Sequence, residues 1–322
     1  MDVKVPISKH KKWLLPILCC GIMVLLGVSV LALALPQDGQ VASAPTSIPV
    51  DTSATEPTQP ALPELPALPV QLPLPAGSQT TPQSDFTLVP ETPVLEKNTL
   101  TKKDFGKVNG YITCKSEEYW LGIDVSVWQE DIDWEKVAAS GVKFVMIRMA
   151  YRGWGPDARL RIDPRGEEHL QGALAAGLKV GVYIYSQATN VEEAVEEARY
   201  LLELLDGRPL DMPVVFDWEV PTETSYPRTK NVKAKTIHAC AMAFSAEIQA
   251  AGYQPMVYFN QRQGSTKYNL AELRAAGVEL WLAMYEKAMT YEYRVQMWQY
   301  TETGKVPGIE GKVDINIYFP NY

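Results

Sequence analysis

The stretch KVGVYIYSQATNVEEAVEEARYLLELLDGRPLDMPVVFDWE (179–219) decides the fold. It opens on KVGVYIYS (179–186), rich in β-branched and aromatic residues and bounded by turn-forming residues, which reads as a strand. Asn190 with Glu193 three residues on makes an N-cap and capping-box pair. Val191, Ala194, Val195, Ala198, Leu201, Leu202 and Leu205 then hold helical spacing. PVVFDWE (213–219) returns to strand. Strand, helix and strand in succession make a parallel sheet with the helix packed on one face.

Outward from this unit the pattern repeats. LGIDVSV (121–127) and FVMIRMA (144–150) precede it, and QPMVYFN (254–260), LWLAMY (280–285), RVQMWQY (294–300) and DINIYF (314–319) follow. Ile237, Cys240, Ala241, Phe244 and Ile248 form a second apolar helical stripe, with Gly252 as its C-terminal stop. Eight strands in one α/β unit predict closure into a barrel of TIM-barrel type. Helices fade after residue 260. Only 269–276 has helical spacing, and the last two strands are joined by the Gly/Pro loop TETGKVPGIEGKV (301–313), so the barrel is expected to be irregular in its final third. No repeat of 20–50 residues is present.

Upstream, the composition changes abruptly. Of the 24 prolines, 13 fall between Pro36 and Pro93, and Leu-Pro recurs through ALPELPALPVQLPLP (61–75). Proline at this density excludes helix and sheet, and a segment so poor in large apolar groups does not offset its ordering entropy. Residues 36–100 are therefore expected to be a disordered linker. Before it, WLLPILCCGIMVLLGVSVLALAL (13–35) runs for 23 residues without a charge. As a helix that is about 35 Å, enough to span a hydrocarbon core of roughly 30 Å. Lys4, Lys9, Lys11 and Lys12 lie on its N-terminal side, which places a basic tail (1–12) in the cytoplasm and the rest outside. The competing reading is a cleaved signal peptide, with Ala32-Leu33-Ala34 or Ala42-Ser43-Ala44 as the processing site. Both readings export the folded part, which is expected to comprise a lead-in at 101–120 and a barrel at 121–322.

Charge and cysteine usage narrow the function. The net charge of −8 divides into +3 for residues 1–35 (four Lys, one Asp), −6 for 36–100 (one Lys, seven acids) and −5 for 101–322 (25 bases, 30 acids). No stretch of the folded part clusters Lys and Arg as a nucleic-acid footprint does, so no nucleic-acid partner is expected. Cys19 and Cys20 lie in the apolar segment. Cys114 and Cys240 could pair in an oxidising compartment, but Cys240 sits on an apolar helical stripe and reads more simply as a buried thiol. His169 and His238 each stand alone on a helix with no second ligand at metal spacing, so neither a metal nor a cofactor is expected. No nucleophile elbow, phosphate-cradling glycine loop or dinucleotide fingerprint is present.

Four carboxylates remain. Asp124 interrupts the first apolar run, Asp217 and Glu219 close the fourth, and Asp314 opens the last. Residues two apart on a strand share a face, so Asp217 and Glu219 point the same way, at the end of the strand where barrel active sites are built. Neighbouring carboxylates raise one another's proton affinity, particularly among groups such as Phe216 and Trp218. One can then stay protonated while another is ionised, as glycoside hydrolysis requires. The plainer alternative is that such acids cap helices or pair with Arg148.

GIDVSVWQ (122–129) followed by IDW (132–134) resembles the opening of the glycoside hydrolase family 25 lysozymes, the bacterial and phage N-acetylmuramidases. The resemblance continues through KFVMIRMAYRG (143–153), AAGLKVGVYIYSQA (175–188), PVVFDWE (213–219), GYQPMVYFN (252–260), LWLAMY (280–285) and MWQYTETGKVPGIEGKVDIN (297–316). It implies an irregular, flattened (β/α) barrel with helices missing between the last strands. By the same resemblance Glu219 is the general acid, Asp217 its partner, and Asp124 and Asp314 complete an acidic cluster. Tyr183, Tyr185, Tyr258, Trp281, Tyr285 and Trp298 become candidates to stack on sugar faces, with Arg148 beside them. The implied reaction is hydrolysis of the β-1,4 bond from N-acetylmuramic acid to N-acetylglucosamine. The expected partners are peptidoglycan glycan strands and, through 13–35, the cell membrane, with the protein a monomer. The alternatives of a barrel that only binds glycan and of a chitinase-like hydrolase stay open.

Overall fold

The computed structural model describes residues 93–155, 157–221 and 227–322. The basic tail (1–12), the apolar segment (13–35) and the linker up to residue 92 lie outside the described residues. Among the described residues no helix is long and apolar enough to cross a membrane.

A hairpin of β1 (Phe105–Val108) and β2 (Tyr111–Cys114) leads into β3 (Trp120–Val125), α1 (Trp134–Ala139), β4 (Phe144–Arg152) and β5 (Leu160–Ile162). There follow α2 (Gly166–Ala175), β6 (Lys179–Ser186), α3 (Val191–Leu205), β7 (Val214–Trp218), α4 (Ala234–Ala250) and β8 (Pro255–Asn260). The chain ends with α5 (Gln261–Thr266), α6 (Leu270–Ala275), β9 (Glu279–Ala283), β10 (Met297–Gly304) and β11 (Val313–Tyr318). All eight apolar runs are strands. They close a ring in the order β3-β4-β6-β7-β8-β9-β10-β11 and back to β3, while β5 pairs with the far end of β4.

Seven of the ring strands are parallel, and β11 runs against both of its neighbours. The loop 305–312 explains this. A parallel return needs a crossover of a dozen residues or more, whereas a short loop can only bring the chain back antiparallel. The reversal matters for the acids. Asp314 stands near the start of β11, which lies at the same end of the barrel as the C-termini of the other strands.

The helices follow from local chemistry. The Asn190 side chain accepts the Glu193 amide at 2.9 Å, and Ala194, Ala198, Leu201 and Leu205 of α3 are buried. Ile237, Cys240, Ala241, Phe244 and Ile248 of α4 are likewise buried, and Gly252 adopts a φ of +86° after its end. One expectation needs correction. After residue 260 the structure has α5 as well as α6, because Asn260 and Gln263 form a reciprocal capping box over a single short turn of helix. Between β9 and β11 no helix forms, as the pattern implied.

The hairpin covers the face that those missing helices leave bare. Phe105 meets Trp298 edge-on at 5.4 Å between centroids, and the Ile112 amide donates to the Tyr300 hydroxyl at 3.4 Å. The linker boundary expected at residue 100 is also corrected. The Arg294 amide donates to the Glu96 carbonyl at 2.9 Å, the Asn98 amide to the Glu292 carbonyl at 3.0 Å, and Leu100 is buried. The physical reason is that proline stops at Pro93, so the amides after it are free to pair with residues 291–294.

Two layers of apolar packing result. One lies between barrel and helices. The other fills the barrel with Phe144, Met146, Val215, Met256, Trp281 and Met297. Gly122 is required there, since a Cβ would fall 2.2 Å from the Phe144 ring. Cys114 and Cys240 are both buried and free, and burial pushes the Cys240 thiol up to about 12.

Candidate active site

The structure brings the four carboxyl groups together at one mouth of the barrel as two hydrogen-bonded pairs. Asp217 is the inward residue near the end of β7, in register with Tyr185 on β6 and Tyr258 on β8. Glu219 lies one residue beyond the strand, half-buried, and is hydrogen-bonded to Asp217. Burial, and then the charges of Glu219 and Asp124, hold the Asp217 carboxyl well above the usual carboxylate range, while Arg148 opposes them. Asp217 is only 7 % exposed, and its Oδ1 is closed off from solvent.

Asp124 and Asp314 face each other across the β3–β11 ladder. Asp124 accepts from Asn316 Nδ2 at 2.7 Å and Gln299 Nε2 at 2.9 Å, both on Oδ2. Burial raises its proton affinity, and these donors, with Asp314, oppose the rise. The Asp314 carboxyl is pushed well above its ordinary range by burial and by the Asp124 charge beside it. Asp124 is thus the member stabilised as an anion, and Asp314 the one that keeps a proton and donates it. Donors aimed at one carboxylate decide which of two like groups ionises.

The aromatic candidates divide. Tyr183, Tyr185 and Tyr258 line the mouth, half-buried, and Tyr285 is 50 % exposed just beyond β9. The Tyr258 and Tyr285 hydroxyls both donate to Gln299 Oε1, at 2.9 and 3.1 Å. Trp281 belongs to the floor. It is buried, packs edge-on against Tyr258 at 5.0 Å, and its indole N–H donates to Asn316 Oδ1 at 2.9 Å. Trp298 is misassigned by the sequence reading. It points out of the barrel into the packing beneath the hairpin, donating to the Met284 carbonyl at 2.7 Å, because strand alternation turns Gln299 inward instead. Among the described residues, the other strongly exposed rings near this end are Trp128, 79 % exposed after β3, and Trp154, 46 % exposed after β4.

Arg148 pairs with neither of the two carboxyl pairs. Its Nε donates to Asp163 Oδ2 at 2.7 Å, and Asp163, fully buried, also accepts from the Val127 and Arg165 amides. Sequence reasoning missed Asp163, which has no motif around it. It also missed Gln299 and Asn316, although both lie inside quoted motifs at the inward parity set by Met297 and Asp314. His169 is a buried residue with Nε2 3.3 Å from the Ser126 carbonyl, and His238 pairs with Glu272 at 2.8 Å.

A barrel mouth that sets paired carboxyl groups of unequal proton affinity among tyrosines has the means for acid catalysis on a sugar, and so defines a glycoside hydrolase. The chain belongs to the glycosyl hydrolases family 25, whose family model matches residues 123–309. It is 28 % identical over 207 residues to YegX of Escherichia coli K12, covering 61 % of this chain and 68 % of that one. It is 25 % identical over 197 residues to the autolytic lysozyme of Clostridium acetobutylicum, covering 61 % of this chain and 54 % of that protein. Among solved structures, the spore cortex lytic enzyme SleM of Clostridium perfringens shares the fold with a TM-score of 0.52 at 23 % identity, over 63 % of this chain and 68 % of that one. The autolysin LytC of Streptococcus pneumoniae, solved with a synthetic peptidoglycan ligand, does so at 0.54 and 24 %, over 63 % and 47 %.

Proposed function

We propose that this protein is a peptidoglycan muramidase that cleaves the β-1,4 bond between N-acetylmuramic acid and N-acetylglucosamine. The observation that carries the reading is the Asp217–Glu219 pair: two hydrogen-bonded carboxyl groups at the barrel mouth, with Asp217 buried and Glu219 half-exposed beside it. The relatives named as lysozyme, autolysin and cortex lytic enzyme support the substrate class.

In the proposed reaction the pair holds one proton. The Asp217 carboxylate accepts the N–H of the substrate's acetamido group, and the shared proton passes to Glu219. Glu219 protonates the glycosidic oxygen as the bond to C1 breaks, and the acetamido carbonyl oxygen attacks C1 from the opposite face. Water then opens the cyclic intermediate, Glu219 takes its proton, and the configuration is retained. This substrate-assisted route needs no carboxylate nucleophile. Asp124 and Asp314 keep a fixed anion and a fixed proton beneath the sugar.

We further propose that residues 13–35 anchor the enzyme in the membrane and that the proline-rich segment gives it reach into the wall; the support is the length and flanking charge of the apolar run. Protease added to wall-stripped intact cells is expected to remove the barrel, and a protected barrel refutes the topology.

The enzymatic reading is tested by digesting peptidoglycan with the full-length protein and identifying the sugar at each new reducing end by mass. N-acetylmuramic acid is expected. N-acetylglucosamine overturns the bond assignment in favour of a different hydrolase. Glu219→Gln is expected to lower turnover by roughly 10²–10⁴-fold, the scale of lost acid catalysis. Wild-type turnover in a folded Glu219→Gln enzyme overturns the assignment of the acid.

A further inference from the structure

Glu219 stands where the sheet stops. The last ladder pairs of β7 are Ser186 with Trp218 on one side and Asp217 with Tyr258 on the other, so the backbone of Glu219 lies beyond both neighbours. A half-exposed residue outside the ladder would ordinarily drift with its loop. Here its carbonyl oxygen accepts from Gln187 Nε2 at 2.8 Å and from Thr229 Oγ1 at 3.2 Å. The preceding carbonyl, that of Trp218, accepts from Gln263 Nε2 at 3.0 Å.

Gln187 is fully buried, and both polar atoms of its side chain are engaged in this junction. Its Nε2 also donates to the Ser186 carbonyl at 2.8 Å, and its Oε1 accepts from Thr229 at 3.3 Å. Its own carbonyl accepts from Arg228 at 2.7 Å, and the buried Glu197 stands close by. Glu197 is held in turn by Arg152 Nε at 2.7 Å. The next residue, Ala188, accepts the Trp218 indole N–H at 2.8 Å. A buried amide satisfied on every side has one orientation only.

From this junction we infer that Gln187, with Thr229, is a positioning residue for the proton-donating carboxyl of Glu219, replacing with side-chain donors the ladder bonds that end at Trp218. The inference rests on the assignment of Glu219 as the acid. Gln187 touches no reacting atom. It acts by fixing the main chain from which the Glu219 side chain departs.

The test compares Gln187→Met, similar in length but without donor or acceptor capacity at its end, with the wild type in the full-length protein. On peptidoglycan, kcat is expected to fall roughly 10–100-fold, the scale associated with about 1 Å of misplacement. The dissociation constant for a non-hydrolysable wall oligosaccharide should stay within about twofold, since Gln187 contributes no uniform binding. An aryl glycoside of the same wall sugars has a leaving group that needs little protonation, so its loss should be much smaller than that on the glycan. Thr229→Val should show the same signature, with Thr229→Ser recovering most of the deficit because it keeps the hydroxyl. If Gln187→Met does not fold, the threonine pair carries the comparison. Equal losses on both substrates, or unchanged turnover on the glycan, overturn the positioning role. Glu219→Gln measured alongside separates the two levels: its inactivity with an unimpaired Gln187→Met condemns the clamp alone, whereas its full activity removes the acid and the clamp together.

Discussion

Arg148→Met separates two things that one guanidinium does. Its Nε bonds Asp163 at 2.7 Å, with the arginine side chain 14 % exposed and the aspartate side chain not exposed at all. Removing one partner of a buried pair destabilises by about 3–5 kcal/mol, because the other charge stays buried. Asp163 keeps the Val127 and Arg165 amides, so the lower end applies. About 3 kcal/mol is roughly a 160-fold change in the folded-to-unfolded ratio. For a fold of about 230 residues it is a fall of about 6–12 °C in Tm, readable by calorimetry. Adding Asp163→Asn removes the stranded charge and is expected to recover at least half of that loss. The second effect is electrostatic. Arg148 favours the ionised form of Asp217, so its removal raises the proton affinity of Asp217 further. The Asp217–Glu219 pair then takes its second proton at higher pH, and the acidic limb of the kcat/KM profile moves upward. The double variant should keep that displaced limb while regaining stability, and Arg148→Lys should restore the limb because it keeps the charge. A folded Arg148→Met enzyme with its acidic limb unmoved refutes the electrostatic role, and an unchanged Tm refutes the buried pair.

Asp314 and Asp124 should respond unequally to the same change. Asp314→Asn still presents a donor to Asp124 and is expected to lower turnover less than about 10-fold, whereas Asp124→Asn turns an amide toward the Asn316 and Gln299 donors and should lose considerably more in kcat. Trp298→Ala should destabilise by about 3–5 kcal/mol in denaturant unfolding, as a buried aromatic does, with KM unchanged in the folded fraction. Tyr285→Ala should raise KM with little change in Tm, since that ring is half exposed. Glu197 is raised to about 7 by burial against an ordinary value of 4.5. A raised folded-state value means the folded protein holds more protons than the unfolded chain between those pH values. That contribution to stability is complete below about pH 4.5 and is lost as pH rises toward 7, on the order of 3 kcal/mol. Calorimetric scans across that window should show the decline, and Glu197→Gln should flatten it.

The parts of this molecule legible in its sequence are those set by periodicity and by local chemistry. The eight strands follow from apolar runs, α3 from Asn190 and its stripe, and the stop after α4 from Gly252. What was not legible depends on direction and on long-range contact. The loop 301–313 showed that no helix joins β10 to β11. The consequence, that β11 must run antiparallel and carry Asp314 to the mouth from its N-terminal end, appears only when the ring closes. Trp298 and Gln299 are adjacent, and choosing which faces inward requires a register reference; Met297, in line with Trp281 in the ladder, supplies it. Asp163 and Gln187 carried no signal because each is defined by partners far away in sequence. The segment 94–100 reads as linker by its proximity to proline, yet Glu96 and Asn98 bond to residues 289–294.

The four acids show why a count of carboxylates does not define a mechanism. At the sequence level Asp217 and Glu219 form a symmetrical pair two residues apart, and Asp124 and Asp314 have no evident relation. In the fold, the sheet register makes Asp124 and Asp314 direct neighbours, and two amide donors on one oxygen settle which of them is the anion. That pair is therefore fixed in its charge before substrate arrives. The other pair is not fixed in the same way. Asp217 is raised by burial and by both neighbouring acids and lowered by Arg148. In the proposed reaction a ligand N–H donated to the Asp217 carboxyl favours its ionised form, because a hydrogen bond to the charged form lowers its proton affinity. If the proposed reaction holds, binding an acetamido group draws the ionised form onto Asp217 and the proton onto Glu219, so that the acid is armed by the substrate it is to cleave.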